Sequence, residues 1–212
     1  MAKTHDHEMV SIYPFSDQEI DDLMNNAVEC VLMWGTSDGW PVGVTHAFVW
    51  HEGKIWLTFA AHRHRSKAIK RDNRVSVNVS SHAYPESATT VRYDGNAADP
   101  SQELPGGAIT FKGTGEFFED EETKKWMYTA LSKKLNPGNP EGEEFFYNLL
   151  DSPMRVLLAV TPVKKIMYNG TMANAHMAGS IDESELGEPL SVDRDRMNEE
   201  RAKRGLPPRK GV

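Results

Sequence analysis

Ile20, Leu23, Met24, Ala27 and Val28 recur at the spacing of one helix face, and Ser16-Asp17-Gln18-Glu19 just ahead of them has the form of a capping box. The spacing predicts an amphipathic helix over 17–27. The period then changes. Cys30 to Thr36 is a short apolar run closed by Ser37-Asp38-Gly39. A second run covers 41–50 and ends at the turn His51-Glu52-Gly53-Lys54, and Ile55 to Phe59 is a third. These three runs predict an antiparallel meander with tight turns. Val75, Val77 and Val79 alternate with Ser76, Asn78 and Ser80, the pattern of a half-buried strand.

Further along, a strand is predicted over 108–118, interrupted by Gly113 and Gly115. A helix over 121–135 turns Trp126, Met127, Ala130 and Leu131 inward and stops at Asn136-Pro137-Gly138. A shorter helix covers 143–150. A last core strand runs over 155–160, with an extended continuation over 165–168. Residues 84–107 are rich in Pro, Gly, Ser and Asp and read as a long loop, with an extended piece over 89–93. After Ser180 aromatic residues vanish and charges of both signs mix. The expectation is a mainly β protein with peripheral helices (α+β), its six antiparallel strands forming a barrel or strongly curved sheet. Residues 1–15 read as an N-terminal arm, 16–179 as one domain and 180–212 as a charged tail.

Composition narrows the picture. A chain of 212 residues, 39% hydrophobic and 26% charged, has room for one ordinary domain with a real core. No run reaches the roughly 18 apolar residues of a membrane span. Met1 to Met9 is polar and lacks a signal core, so a cytoplasmic protein without a membrane partner is expected. The single cysteine, Cys30, lies in an apolar run and reads as a buried thiol.

Charge singles out one segment. The net charge is -7, yet Arg63, Arg65, Lys67, Lys70, Arg71 and Arg74 fall within twelve residues between two predicted strands. So short a basic element on an acidic protein points to a local anion site and away from nucleic acid. Guanidinium groups bind phosphate oxygens bidentately, which makes phosphate the natural ligand. A solvated charged helix face is the competing reading of the same spacing. There is no Gly-x-Ser-x-Gly, His-Glu-x-x-His or Walker loop, and no convincing catalytic dyad. His62 and His64 are two apart, with His5, His7, His51 and His82 elsewhere, but no acidic or cysteine partner stands at ligand spacing, so no metal site is expected. His176 falls in a Met- and Ala-rich segment that reads as a loop.

Three segments carry a family resemblance. The first is Thr36-Ser37-Asp38-Gly39-Trp40-Pro41-Val42, and the second runs from His64 to Val75. The third is Thr110 to Glu116 together with Thr161-Pro162-Val163-Lys164-Lys165. In order and spacing, over roughly 17–170, the chain resembles the FMN-binding split barrels of the pyridoxamine-phosphate-oxidase-like superfamily, including its deazaflavin-using branch. It departs from the pattern at Arg65, where many members have lysine, at Asn73, where most have proline, and in its longer 84–107 loop.

The resemblance implies a six-stranded antiparallel split β-barrel. It also implies FMN, or alternatively the deazaflavin coenzyme, with its phosphate near Arg63, Arg65, Ser66 and Lys67. The ring would lie near His46, Ala47, Phe48, Thr58 and Phe59. The implied activity is hydride transfer to or from a small-molecule substrate, in a homodimer holding its cofactor between subunits. A flavin- or haem-binding protein without turnover is the alternative, with His176 as the axial candidate because some relatives of this fold bind haem.

Overall fold

The computed structural model describes residues 10–84 and 104–208. The expected extended piece over 89–93 and the histidines at positions 5 and 7 lie outside the described residues. Helix α1 (Asp17–Asn26) opens on the expected capping box: the Ser16 amide donates to the Glu19 carboxylate at 2.8 Å, and the Glu19 amide returns to Ser16 Oγ at 3.2 Å. Its apolar face buries Ile20, Leu23 and Met24.

Strands β1 (Glu29–Gly35), β2 (Pro41–Ala47), β3 (Val49–His51) and β4 (Lys54–Ala60) follow, then α2 (His64–Arg71) and β5 (Arg74–Ser80). Beyond the 84–107 region come β6 (Gly107–Phe118), α3 (Glu121–Leu135), α4 (Pro140–Leu150), β7 (Arg155–Asn169), α5 (Gly170–Ala178) and α6 (Ser191–Lys203). The strands form one antiparallel sheet of seven, in the order β2-β1-β5-β6-β7-β4-β3.

The sheet has seven strands where six were expected, because the run 41–50 serves two partners. Cys30 pairs with His46 on β2, whereas Val49 on β3 pairs with Trp56. Phe48 is the corner between them, with its side chain fully buried in the core. The expected meander is thus two hairpins lying at opposite ends of the strand order. One residue joins those ends, so the sheet must curl until its edges meet.

Gly113 and Gly115 bend β6 and do not break it. A side chain at Gly113 would lie 2.6 Å from the Thr161 carbonyl oxygen, and one at Gly115 would lie 2.8 Å from Leu158. A bulge between Lys112 and Gly113 admits Pro162, which has no amide hydrogen for the ladder, so β7 continues as one strand. Helix α4 starts earlier than the hydrophobic pattern indicates. Asn139 caps the Gly142 amide at 3.1 Å and Pro140 takes the first helical position, where its missing N–H costs nothing.

Period-two alternation sorts the strands onto two layers. Ile55, Leu57 and Phe59 of β4 and Val156, Leu158 and Val160 of β7 face the barrel interior, with Leu32, Val77 and Phe111. Trp56, Leu157 and Ala159 face outward onto Met127, Tyr128, Leu131 and Leu150 of α3 and α4. Each such fully buried large side chain contributes about 1.5–3 kcal/mol. The outer sides of β1, β2, β5 and β6 carry no helix layer, and Pro41, Thr45, Lys112, Thr114 and Glu116 are exposed there.

The terminal segments meet in a third, small cluster. Ile12 and Tyr13, expected in an arm, are buried against Ala173, with Met172, Leu186 and Met197 packed beside them. The Gly187 amide donates to the Ile12 carbonyl at 2.9 Å. The segment around His176, expected as a loop, is helix α5. It is capped by Asn169 accepting from the Met172 amide at 3.0 Å and closed by Gly179 at φ +71.

Candidate functional site

Helix α2 begins three residues after β4 ends. Ala68 and Ile69 are buried in the barrel core and anchor it, so Arg63, His64 and Lys67 point to solvent while Arg65 is half-buried. The Ala61 amide donates to Met154 O at 2.7 Å, and the Ser66 amide to Arg63 O at 3.0 Å. Arg63 occupies the N-cap position without a side-chain capping bond, so the positive end of this helix carries no protein oxygen from its cap residue.

The basic cluster divides in two. Arg71 donates to the Gly35 carbonyl at 2.9 Å. Lys70 lies 3.7 Å from Glu119 and over the Phe117 ring. Arg74 forks onto Asp72 at 2.6 and 2.9 Å. Those three are engaged by the protein's own acceptors at its surface. Arg63, Arg65 and Lys67 have no carboxylate partner among the described residues; Arg63 and Lys67 stand in solvent and only Arg65 is partly buried.

Arg65 is held on three sides. Its Nη1 donates to His46 Nε2, and its guanidinium carbon lies 5.2 Å from the Phe59 ring centre and 6.0 Å from that of Trp34. The His46 ring in turn packs against Phe59 at 5.6 Å. Burial, then Arg65, then Arg155 lower the His46 pKa to about 4, and burial and Arg63 lower that of Arg65. Ser66, in the same helical turn, is 2% exposed and its hydroxyl has no hydrogen-bond partner among the described residues.

His46, Phe59 and Arg65 are in contact, Arg63 and Ser66 flank Arg65 at the start of α2, and Lys67 stands exposed one residue further on. The other three expected residues face elsewhere. Thr58 Oγ1 donates to Val156 O at 3.1 Å on the opposite face of β4. Phe48 is enclosed in the core, and Ala47 packs toward the α3–α4 layer. Trp34 and Arg155 join the neighbourhood without a local signal. Arg155 arrives through its register opposite Ala60, a pairing of residues 95 positions apart. His176 is 2% exposed and its Nδ1 lies 2.9 Å from the Tyr13 hydroxyl, so it faces inward and presents no ligand to the surface.

A cleft of about 560 Å³ opens across β1, β5 and β6 and shares Trp34 with this neighbourhood. Met33, Pro41, Val75 and Val163 line its apolar part, and Arg74 and Lys112 stand at its edge. A second groove, of about 610 Å³, lies between β3 and α3 around Trp50, His51 and Trp126. Among the described residues no group of three or more His, Cys, Asp or Glu could hold a metal ion, and no helix is long and apolar enough to cross a membrane.

No family model and no curated protein matches the sequence. Solved structures match in fold. A conserved hypothetical protein from Mycobacterium tuberculosis superposes with a TM-score of 0.58 at 17% identity, over 85% of this chain and 96% of that one. ChuZ from Campylobacter jejuni gives 0.53 at 15% identity, over 80% and 59%. HutZ from Vibrio cholerae, a haem storage protein, gives 0.51 at 12% identity, over 72% and 94%. At such identities the likeness is one of fold. What is shared is a curled antiparallel sheet with peripheral helices, which in this chain has seven strands and six α-helices among the described residues.

Proposed function

We propose that this protein is an FMN-dependent oxidoreductase whose cofactor phosphate is held at the start of α2 by Arg63, Arg65 and Lys67. The observation that carries the reading is electrostatic. Arg65 and Arg155 act on a histidine kept neutral, Arg63 acts on Arg65, Lys67 follows on the same helix, and no carboxylate pairs with any of these cations among the described residues. Like charges left together in a partly buried place are costly unless an anion joins them. The residues fit a phosphate: three cations, a helix start without a side-chain cap and the unpartnered Ser66 hydroxyl are all donors.

The doubly charged phosphomonoester of FMN suits this excess of cations better than the singly charged phosphodiester of the deazaflavin coenzyme. At 4 Å each cation favours an added ligand charge by roughly 1 kcal/mol even in water. A flavin, once bound, supplies the hydride chemistry, and the protein's residues bind it, orient it and exclude water. The cleft beside Trp34 offers the apolar space for a planar ring and a small organic substrate. A second copy of the chain is the proposed cover for the sheet face bearing Val163 and Ile166, which are 70% and 51% exposed.

The test is an absorbance spectrum of the purified protein, titration with FMN and with the deazaflavin coenzyme, and then mixing with reduced nicotinamide. Saturable FMN binding with oxidation of the nicotinamide supports the reading. Binding without turnover leaves a carrier, and binding of neither cofactor overturns the flavin reading.

A further inference from the structure

The surroundings of His46 on β2 determine what its ring can do. Arg65 has only donors, so its contact makes His46 Nε2 an acceptor and leaves the ring proton on Nδ1. From β4 the ring meets Phe59, which carries no charge. From α2 and β7 it meets Arg65 and Arg155, and Arg63 stands behind Arg65. Its chain neighbours Thr45 and Ala47 are uncharged. Across the ladder on β1 stand Cys30, its register partner, and the exposed Glu29 opposite Ala47. Among the described residues, the charges that shift this imidazole are the cations Arg65 and Arg155. Arg65 in turn keeps four of its five N–H groups without a partner among the described residues.

We propose, on the reading that a phosphate monoester binds here, that His46 is a proton-linked positioning residue: neutral in the free protein, it holds Arg65 through its Nε2 lone pair, and it takes up a proton when the ligand binds. The field of Arg65 and Arg155 keeps the free ring neutral, and a dianion among these groups cancels that field. An opposite charge within about 4–6 Å shifts a pKa toward the charged form by roughly 1–3 units. The proton comes from solvent to Nε2, which then no longer accepts from Arg65, and that N–H is released to the phosphate. The same exchange that frees the guanidinium adds a further cation beside the ligand.

The sign follows from linkage. Because the ligand raises the affinity of His46 for a proton, a proton raises the affinity for the ligand, between about pH 4 and 6. The phosphate itself has a pKa near 6 and loses its proton on binding to cations, which weakens binding in acid whatever residue stands at position 46. The ratio of wild-type affinity to that of His46→Gln removes this common effect. Glutamine keeps an acceptor for Arg65 and cannot titrate.

The experiment measures FMN affinity of the full chain by fluorescence quenching from pH 5 to pH 8, for wild type and His46→Gln. Calorimetry at pH 5 in two buffers of different ionisation enthalpy then counts protons. The wild-type to variant ratio is expected to rise about three- to tenfold from pH 8 to pH 5, with extra proton uptake by the wild type. A flat ratio and equal uptake overturn the role of His46 and leave the flavin reading standing. Absence of FMN binding by the wild type at every pH overturns both. If the variant misfolds, the His46 ring is titrated by NMR in the wild type with and without FMN. A pKa that does not rise on binding then overturns the proposal.

Discussion

Lys134 holds its Nζ 3.9 Å from the centre of the Phe48 ring and donates to the Met24 carbonyl at 2.9 Å, with the side chain 5% exposed. The ring face and the carbonyl both favour the ammonium. Burial opposes it and prevails, lowering the pKa to about 7. Below pH 7 the charge is buried at its full cost. Between 7 and the ordinary lysine value the unfolded chain binds more protons than the folded one. Stability is therefore expected to rise with pH across that window, by up to about 1.4 kcal/mol per unit. Urea unfolding from pH 6 to pH 10 measures this, and Lys134→Met is expected to flatten the slope. Parallel profiles for the two proteins would show that Lys134 is not the source.

The neighbouring thiol is expected to be inert. Cys30 is 2% exposed, and burial pushes its pKa up to about 12 despite Lys134 nearby. Only the thiolate reacts appreciably, so at pH 8 a thiol reagent is expected to label Cys30 at the rate of global unfolding. Rapid labelling of the folded protein would mean that the α1 side of the core opens locally.

The division of the basic cluster makes a paired prediction. Arg65→Ala with Lys67→Ala is expected to weaken FMN binding at least tenfold, since each lost charged hydrogen bond costs about 1.5–3 kcal/mol. Lys70→Ala removes a residue engaged with Glu119 at the surface and is expected to change FMN affinity less than twofold. Equal losses for both variants would mean that the cluster acts only as a diffuse field.

Ending the chain at Ser180 is expected to leave the barrel folded. Helix α6 has no buried residue, and the removed segment gives up the packing of Leu186 and Met197 on Ile12 and Tyr13 and the Gly187 to Ile12 bond. A loss of about 1–2 kcal/mol lowers the midpoint of a chain this size by a few degrees. Loss of cooperative melting in a thermal scan would sink this expectation.

Local chemistry was legible in the sequence and remote pairing was not. The capping box at Ser16 and Glu19 and the alternation of Val75, Val77 and Val79 both depend on neighbours within a few residues. The split of the run 41–50 at Phe48 depends on two partner strands, and nothing within the run marks where one takes over from the other. Thr58 shows the same limit. Alternation puts Thr58 and Phe59 on opposite faces of β4, and only the packing of Tyr128 decides which of those faces lies under the helices. Helix α5 was missed because its ten-residue surroundings mix Met, Ala, Thr and Asn without an apolar stripe, and its capping side chain, Asn169, sits at the end of a strand. Within the site, the cluster of cations could be read directly. Which of them were engaged by Asp72, Glu119 and Gly35 could not, because two of those partners are distant in the chain.

The Phe48 corner has a mechanical consequence. Strands β2 and β3 stand at the two ends of the hydrogen-bonded order, yet a single residue connects them. The two margins of the sheet are therefore tied covalently at one point, with no hydrogen-bonded pairing between β2 and β3. A cut at this one position would leave the margins connected only through the other strands of the sheet.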